Sequence, residues 1–152
     1  MNFGAEIPFV SHLGFALELF EGGESAISYT PKPEHLHSFA VTHGGACMTL
    51  LDVTMAVAAR SVQKEMGVVT IEMKTSFMRP APGDGSKLTA KGRLIHRTAT
   101  LAFTEASLLD EQGRICSHAT GTFKYVKRLA TSATSVNTLA LPDAALSVIS
   151  TD

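Results

Sequence analysis

From Ala46 to Ala59 the chain carries apolar residues at almost every position, interrupted only by Thr49, Asp52 and Thr54. A segment with no polar stripe reads as a helix hydrophobic all round, which a domain buries by wrapping other elements about it. The two threonines can return their hydroxyls to the backbone one turn earlier, but Asp52 has no such escape and must be paired, protonated or in use. Ahead of the helix stands His43-Gly44-Gly45, and the two glycines are expected to leave the first helical N–H groups uncovered, where the helix dipole favours negative charge. This start is a candidate oxyanion site. The helical pattern is expected to run to about Met66-Gly67.

Elsewhere the pattern alternates. Pro8 to Gly14 predicts a short helix with Pro near its start and Gly at its end, and with Phe9 and Leu13 capping the core. Phe15–Phe20 and Ser25–Thr30 flank Glu21-Gly22-Gly23-Glu24, the signature of a hairpin. Pro31 and Pro33 halt the second strand, and His35 to Thr42 runs as a loop into the helix. Past the helix, Val69, Ile71, Met73 and Phe77 are expected on one face of a strand. In the next strand Leu88, Ala90, Gly92 and Leu94 are expected on one face, with Lys87, Lys91, Arg93 and Arg97 forming a basic face opposite. Thr100–Leu109 and Arg114–Val126 flank the turn Asp110-Glu111-Gln112-Gly113. One buried helix on about six mainly antiparallel strands is an α+β architecture in a single domain, residues 1–128. Residues 129–152 lose charge and periodicity and read as a Ser/Thr/Ala-rich extension, with a short helix expected near Pro142–Ile149.

Composition narrows the function. The net charge of -1 and pI near 6.6 give no general attraction to nucleic acid or to an anionic membrane. Two cysteines, Cys47 and Cys116, argue against a disulfide framework and for a reducing, cytoplasmic setting. The N-terminus lacks the basic and apolar regions of a signal peptide, and no apolar run reaches spanning length. His35, His37, His43 and Cys47 match no zinc-ligand spacing, so no metal is expected. Cys47, in the first helical turn, reads as a buried small residue before it reads as a nucleophile.

The run His43-Gly44-Gly45 with Asp52 nine positions after the histidine, followed by Phe77-Met78-Arg79-Pro80-Ala81 and the Gly113 hairpin, resembles the hotdog-fold acyl-CoA thioesterases of the PaaI-like group. The resemblance covers roughly residues 10–127. It implies a sheet wrapped around the central helix, and protomers paired sheet to sheet, as a homodimer or a dimer of dimers, with active sites at the interface. It assigns Asp52 as catalytic carboxylate, the Gly44 N–H as donor to the thioester carbonyl, and Thr70 as the residue that helps place water. His43 then shapes the loop and orients the glycine. Where the family commonly carries Asn and Gly, six and three residues before the motif histidine, this chain has His37 and Ala40. His37 remains a candidate to hydrogen-bond water or substrate. Arg79, Arg93 and Arg97 are the candidates to hold the phosphates of coenzyme A, which enters as part of the substrate and not as a cofactor.

The chemistry suits these residue types. A thiolate leaves readily, its parent thiol having a pKa near 8.5, so the reaction lacks a nucleophile and carbonyl polarisation. A carboxylate in an apolar setting activates water or attacks directly, and N–H groups at a helix start hold the oxyanion. Two other readings stand beside it: a non-catalytic acyl-CoA-binding module on the same fold, and a hotdog hydratase or dehydratase.

Overall fold

The structure, a computed structural model, describes residues 2–128; the expected extension and its helix lie outside the described residues. The elements are α1 (Pro8–Leu13), β1 (Ala16–Glu21), β2 (Glu24–Tyr29), a 3-10 turn (Pro33–His35), α2 (Gly44–Arg60), β3 (Met66–Phe77), β4 (Leu88–Arg97), β5 (Leu101–Leu109) and β6 (Ile115–Lys127). All six strands join one antiparallel sheet in the order β1-β2-β4-β5-β6-β3, with α2 packed across it as the hotdog resemblance implies.

Local chemistry sets the turns. Gly22 (φ 59°) and Gly23 (φ 86°) both take positive φ, which suits the tight β1–β2 connection and excludes most side chains there. At the β5–β6 turn, Asp110 accepts hydrogen bonds from the backbone N–H groups of Gln112 and Arg114, at 3.0 and 2.9 Å. Its other oxygen takes the Arg114 guanidinium at 2.8 Å.

Helix α2 forms the core together with the sheet. Leu50, Leu51 and Met55 are wholly buried, and each contributes about 1.5 to 3 kcal/mol. That far outweighs an exposed ion pair such as Lys64–Glu21, which is worth about 0 to 1 kcal/mol. Thr49 and Thr54 do return their hydroxyls to the carbonyls of Gly45 and Leu50, at 2.8 and 2.6 Å. The helix ends at Arg60, not near Met66-Gly67 as its pattern predicts. The Ser61 hydroxyl donates to the Ala58 carbonyl at 2.7 Å and accepts the Gly23 N–H at 2.7 Å. The chain is thereby pinned to the first hairpin, and residue 66 already belongs to β3.

Three expectations about faces need correction. In α1, Val10 and Leu13 are buried while Phe9 is 57% exposed, because the short helix turns Phe9 away from the core. In β3 a bulge between Thr70 and Glu72 breaks the alternation. Val69 lies opposite Lys124 on the outer face, whereas Met73 and Phe77 lie opposite Gly121 and Ser117 on the helix side. In β4 a bulge between Leu94 and His96 turns Arg97 to the helix side, opposite buried Ala102, so it leaves the basic face.

The helix lies so close to the sheet that a Cβ on Gly92 would stand 2.5 Å from Ser25 Oγ and 2.8 Å from the Thr54 carbonyl oxygen. The second of these is backbone and cannot rotate aside. Gly92→Ala is therefore expected to lower stability by about 1 to 3 kcal/mol, the usual range for overpacking. Urea denaturation measures it; an unchanged midpoint would show that the helix has room to move.

Candidate functional site

The loop before α2 is held by its own backbone. His37 N–H donates to the Val41 carbonyl at 2.7 Å, and Ala40 N–H to the His37 carbonyl at 2.9 Å. Ala40 closes this turn at φ 61°, a left-handed conformation that glycine adopts freely and alanine only with strain. His37 Nδ1 accepts the Phe39 N–H at 3.2 Å, and the His37 and Phe39 rings stack 4.8 Å apart. With Nδ1 accepting, the neutral ring carries its proton on Nε2, which therefore serves as a donor.

His43 is the N-cap of α2, and its Nδ1 accepts the Gly45 N–H at 2.9 Å. This corrects the expectation that both glycines leave N–H groups uncovered. Ala46 and Cys47 bond to the His43 carbonyl, so of these first helical N–H groups only that of Gly44 has no partner among the described residues. Gly44 opens onto a cavity of about 370 Å³ whose wall includes His37, Cys47, Phe77, Arg79 and Ser117. The rim of the Phe77 ring lies 3.5 Å from where a Gly44 Cβ would stand, so Phe77 flanks the start of the helix.

Asp52 lies elsewhere. Its Oδ1 accepts a 2.7 Å hydrogen bond from Thr70 Oγ1, while Oδ2 has no partner among the described residues. The bulge just after Thr70 marks where β3 changes face. Partial burial raises the Asp52 pKa above its ordinary 3.8, and the Thr70 hydrogen bond opposes that shift. Asp52 shares a helix stripe with Gly45, Met48, Thr49, Val53 and Ala56, none of them fully buried, and it does not line the Gly44 cavity. Eight residues at about 1.5 Å of rise separate Gly44 and Asp52 by roughly 12 Å along the axis.

The candidate residues thus form two groups: His37, Gly44 and Arg79 around the cavity, and Asp52 with Thr70 further along the helix; His43, the cap of α2, lines a separate hollow with Phe9 and Leu13. Arg93 stands outside both, paired with Glu105 at 2.7 Å, and Arg97 lies on the opposite face from it. Cys47 and Cys116 are buried free thiols, and burial pushes Cys47 up to about 12, too high for a thiolate near neutrality. Among the described residues no three His, Cys, Asp or Glu side chains gather as metal ligands. No helix among them is long and apolar enough to cross a membrane. Phe39 and Ser117 were not marked by the sequence pattern; a lone Phe in a loop and a Ser within a strand carry no signal until the cavity brings them together.

Known proteins resemble this chain in sequence and in fold. A protein of Saccharolobus solfataricus that bears an esterase name is 29% identical over 108 residues, covering 71% of this chain and 75% of its own length. The Escherichia coli PaaI protein from the phenylacetic acid degradation operon superposes with a TM-score of 0.72 at 20% identity, covering 78% of this chain and 83% of that one. The PaaI protein of Thermus thermophilus, solved as a point mutant, gives 0.72 at 22% identity over 79% of this chain and all of that one. At such identities the two structures share the hotdog fold. The thioesterase superfamily profile matches residues 39–117, from the cavity loop through Asp52 and Thr70 to Ser117, and the chain belongs to that superfamily.

Proposed function

We propose that this protein hydrolyses acyl-CoA thioesters at sites shared between two copies of the chain. The observation that carries the reading is the pairing of Asp52 with Thr70 at 2.7 Å, set along the helix from an uncovered Gly44 N–H. A base or nucleophile must come within about 3 to 3.5 Å of its target, so one carbonyl cannot meet both groups of one chain roughly 12 Å apart. A second copy supplies the missing half. Strand β3 is a sheet edge on which Val69 and Ile71 are exposed by 47% and 54%, and such an edge invites pairing. The half-exposed stripe of α2 that carries Asp52 adjoins it. A twofold dimer gives two equivalent sites, each with Gly44 from one copy and Asp52 from the other.

In each site the Gly44 N–H polarises the thioester carbonyl, and His37 Nε2 donates to the same oxygen or to water. Asp52 Oδ2 takes a proton from water as the water oxygen bonds to the carbonyl carbon, or attacks that carbon itself to give a mixed anhydride, which water cleaves to the free acid and the regenerated carboxylate after coenzyme A has left. The C–S bond then breaks, and coenzyme A leaves as a thiolate that recovers a proton. Arg79 lines the cavity wall, which supports it over Arg93 as the phosphate contact, since Arg93 would first have to leave Glu105.

Asp52→Asn keeps an acceptor for Thr70, so the variant is expected to fold and to lose about two or more orders of magnitude of hydrolysis. Thiol release from a panel of acyl-CoA esters measures this, and near-normal turnover would remove the carboxylate from the reaction.

Either route needs ionised Asp52, so activity should fall as pH drops through a carboxylate pKa that lies above 3.8. Thr70→Val removes the hydrogen bond that favours the ionised form and should move the acid limb of kcat/KM to still higher pH. An acid limb that stays in place would show that Thr70 does not act on Asp52.

Gly44→Pro removes the donor at the first helical position, where proline is tolerated. Neither this variant nor Asp52→Asn should be active alone, and mixed dimers should regain one intact site in two. Folded mixed dimers without activity would rule out the shared site.

A further inference from the structure

At the far end of α2 from the Gly44 cavity, two arginines from distant parts of the chain converge. Arg60, in the last helical turn, is 9% exposed; its Nε donates to the Met66 carbonyl at 3.2 Å and its Nη1 to the Phe3 carbonyl at 2.9 Å. Arg128, just past β6, lays its stem over Gly67, where a Cβ would stand 3.4 Å from Arg128 Cγ, and its Nη2 donates to the Gly4 carbonyl at 2.7 Å. One terminal nitrogen of each guanidinium is left without a partner among the described residues. These two, Arg60 Nη2 and Arg128 Nη1, are the atoms nearest to the point where a Gly4 Cβ would stand, at 3.4 and 3.7 Å. Gly4 holds φ 74°, which favours a residue without a side chain, so the face that both nitrogens line stays open. Neither arginine forms an ion pair among the described residues. Burial pushes the Arg60 pKa below its ordinary value, and the charge of Arg128 pushes it further the same way. A helix C-terminus favours a cation in its last turn, which accounts for Arg60 but not for a second guanidinium aimed at the same gap.

We propose that Arg60 and Arg128 form an anion site that takes a phosphate group, free or as the monoester of a small molecule, against the open face of Gly4. A phosphate carries about two negative charges near neutrality, which match the two guanidiniums, whereas a carboxylate or a chloride ion leaves one of them uncompensated. Its oxygens accept from both arginines at once, in the charge-assisted bonds that guanidinium groups form best. Both arginines are already oriented, Arg60 by two backbone carbonyls and Arg128 by Gly67 and the Gly4 carbonyl, so little side-chain freedom is lost on binding. Gly44 and Arg60 stand at opposite ends of the 17-residue helix, roughly 24 Å apart along its axis, and the site requires no catalytic role for α2. Once occupied, it ties the N-terminal segment to the end of α2 and to β6.

The test uses the full chain and inorganic phosphate, with sodium chloride of equal ionic strength as the reference. Isothermal titration should find one phosphate per chain, and saturating phosphate should raise the melting temperature by about 4 °C or more over chloride. Phosphate also stabilises proteins by exclusion from their surface, so the quantity read is the difference between wild type and variant. Arg128 is exposed, and Arg128→Ala is expected to fold; it should lose about tenfold or more in phosphate affinity and most of the rise in melting temperature. Arg79→Ala should keep both. An equal rise in wild type and Arg128→Ala, or a rise lost in Arg79→Ala, would overturn the site. So would a KM that increases in Arg128→Ala for acyl-CoA esters and not for a short thioester lacking the nucleotide, since the anion would then be coenzyme A itself. Residues 129–152 carry two acids, Asp143 and Asp152. Phosphate binding that emerges only when both are changed to Asn would show that the chain's own carboxylates fill the site, and would rule out a free ligand.

Discussion

The depth to which α2 settles on the sheet is the constraint on which the rest depends. Gly92 lets the helix backbone come within van der Waals range of β4, and Gly121 lets Met55 rest on β6. At that depth Asp52 and Thr70 can meet at 2.7 Å, and the start of the helix meets the Phe77 ring at the end of β3. A helix held a few tenths of an ångström higher would lengthen the first contact and open the second. Core packing and site geometry are therefore one problem in this fold, which is why the residues that fix the helix have no chemistry of their own.

The two halves of the candidate site also need different electrostatic surroundings. An anion beside a helix N-terminus is stabilised by the dipole, and a carboxylate there would be a weaker base. Asp52 instead lies about two turns along the helix, where desolvation raises its pKa and a single hydroxyl moderates the rise. The free N–H of Gly44 is thus available to a neutral carbonyl oxygen and to the charge that develops on it. Separating the groups along one helix preserves both properties, and the shared site proposed above would reunite them through a second chain.

Much of this was legible in the sequence because burial leaves a strong mark. The nearly continuous apolar run from Ala46, with its single acid, points to the central helix and to Asp52 together, and the Gly22-Gly23 and Asp110–Gly113 turns place the hairpins. What the pattern did not carry were the bulges. Each shifts one residue out of pairing and exchanges the faces beyond it, so that Arg97 left the basic face and Val69 parted from Met73 and Phe77. A bulge is decided by what the neighbouring strand and helix require, and alternation along one strand does not contain that information. The helix end was misjudged for a similar reason, since Ser61 stops it by bonding to Gly23, 38 residues away.

His37 and Ala40 are the two places where this chain departs from the pattern it resembles, and the loop explains how both are accommodated. Ala40 holds φ 61°, the conformation a glycine would supply, because its N–H to the His37 carbonyl and the Val41–Pro82 bridge fix the turn from both sides. The same turn brings the Phe39 N–H to His37 Nδ1. Once Nδ1 accepts, the neutral imidazole keeps its hydrogen on Nε2, so the ring presents an N–H at a position where an asparagine would present an amide N–H. The ring is longer than the amide, and Phe39 stacked on it limits how it can turn. The loop therefore still offers a donor at this position, with a longer reach than an amide has.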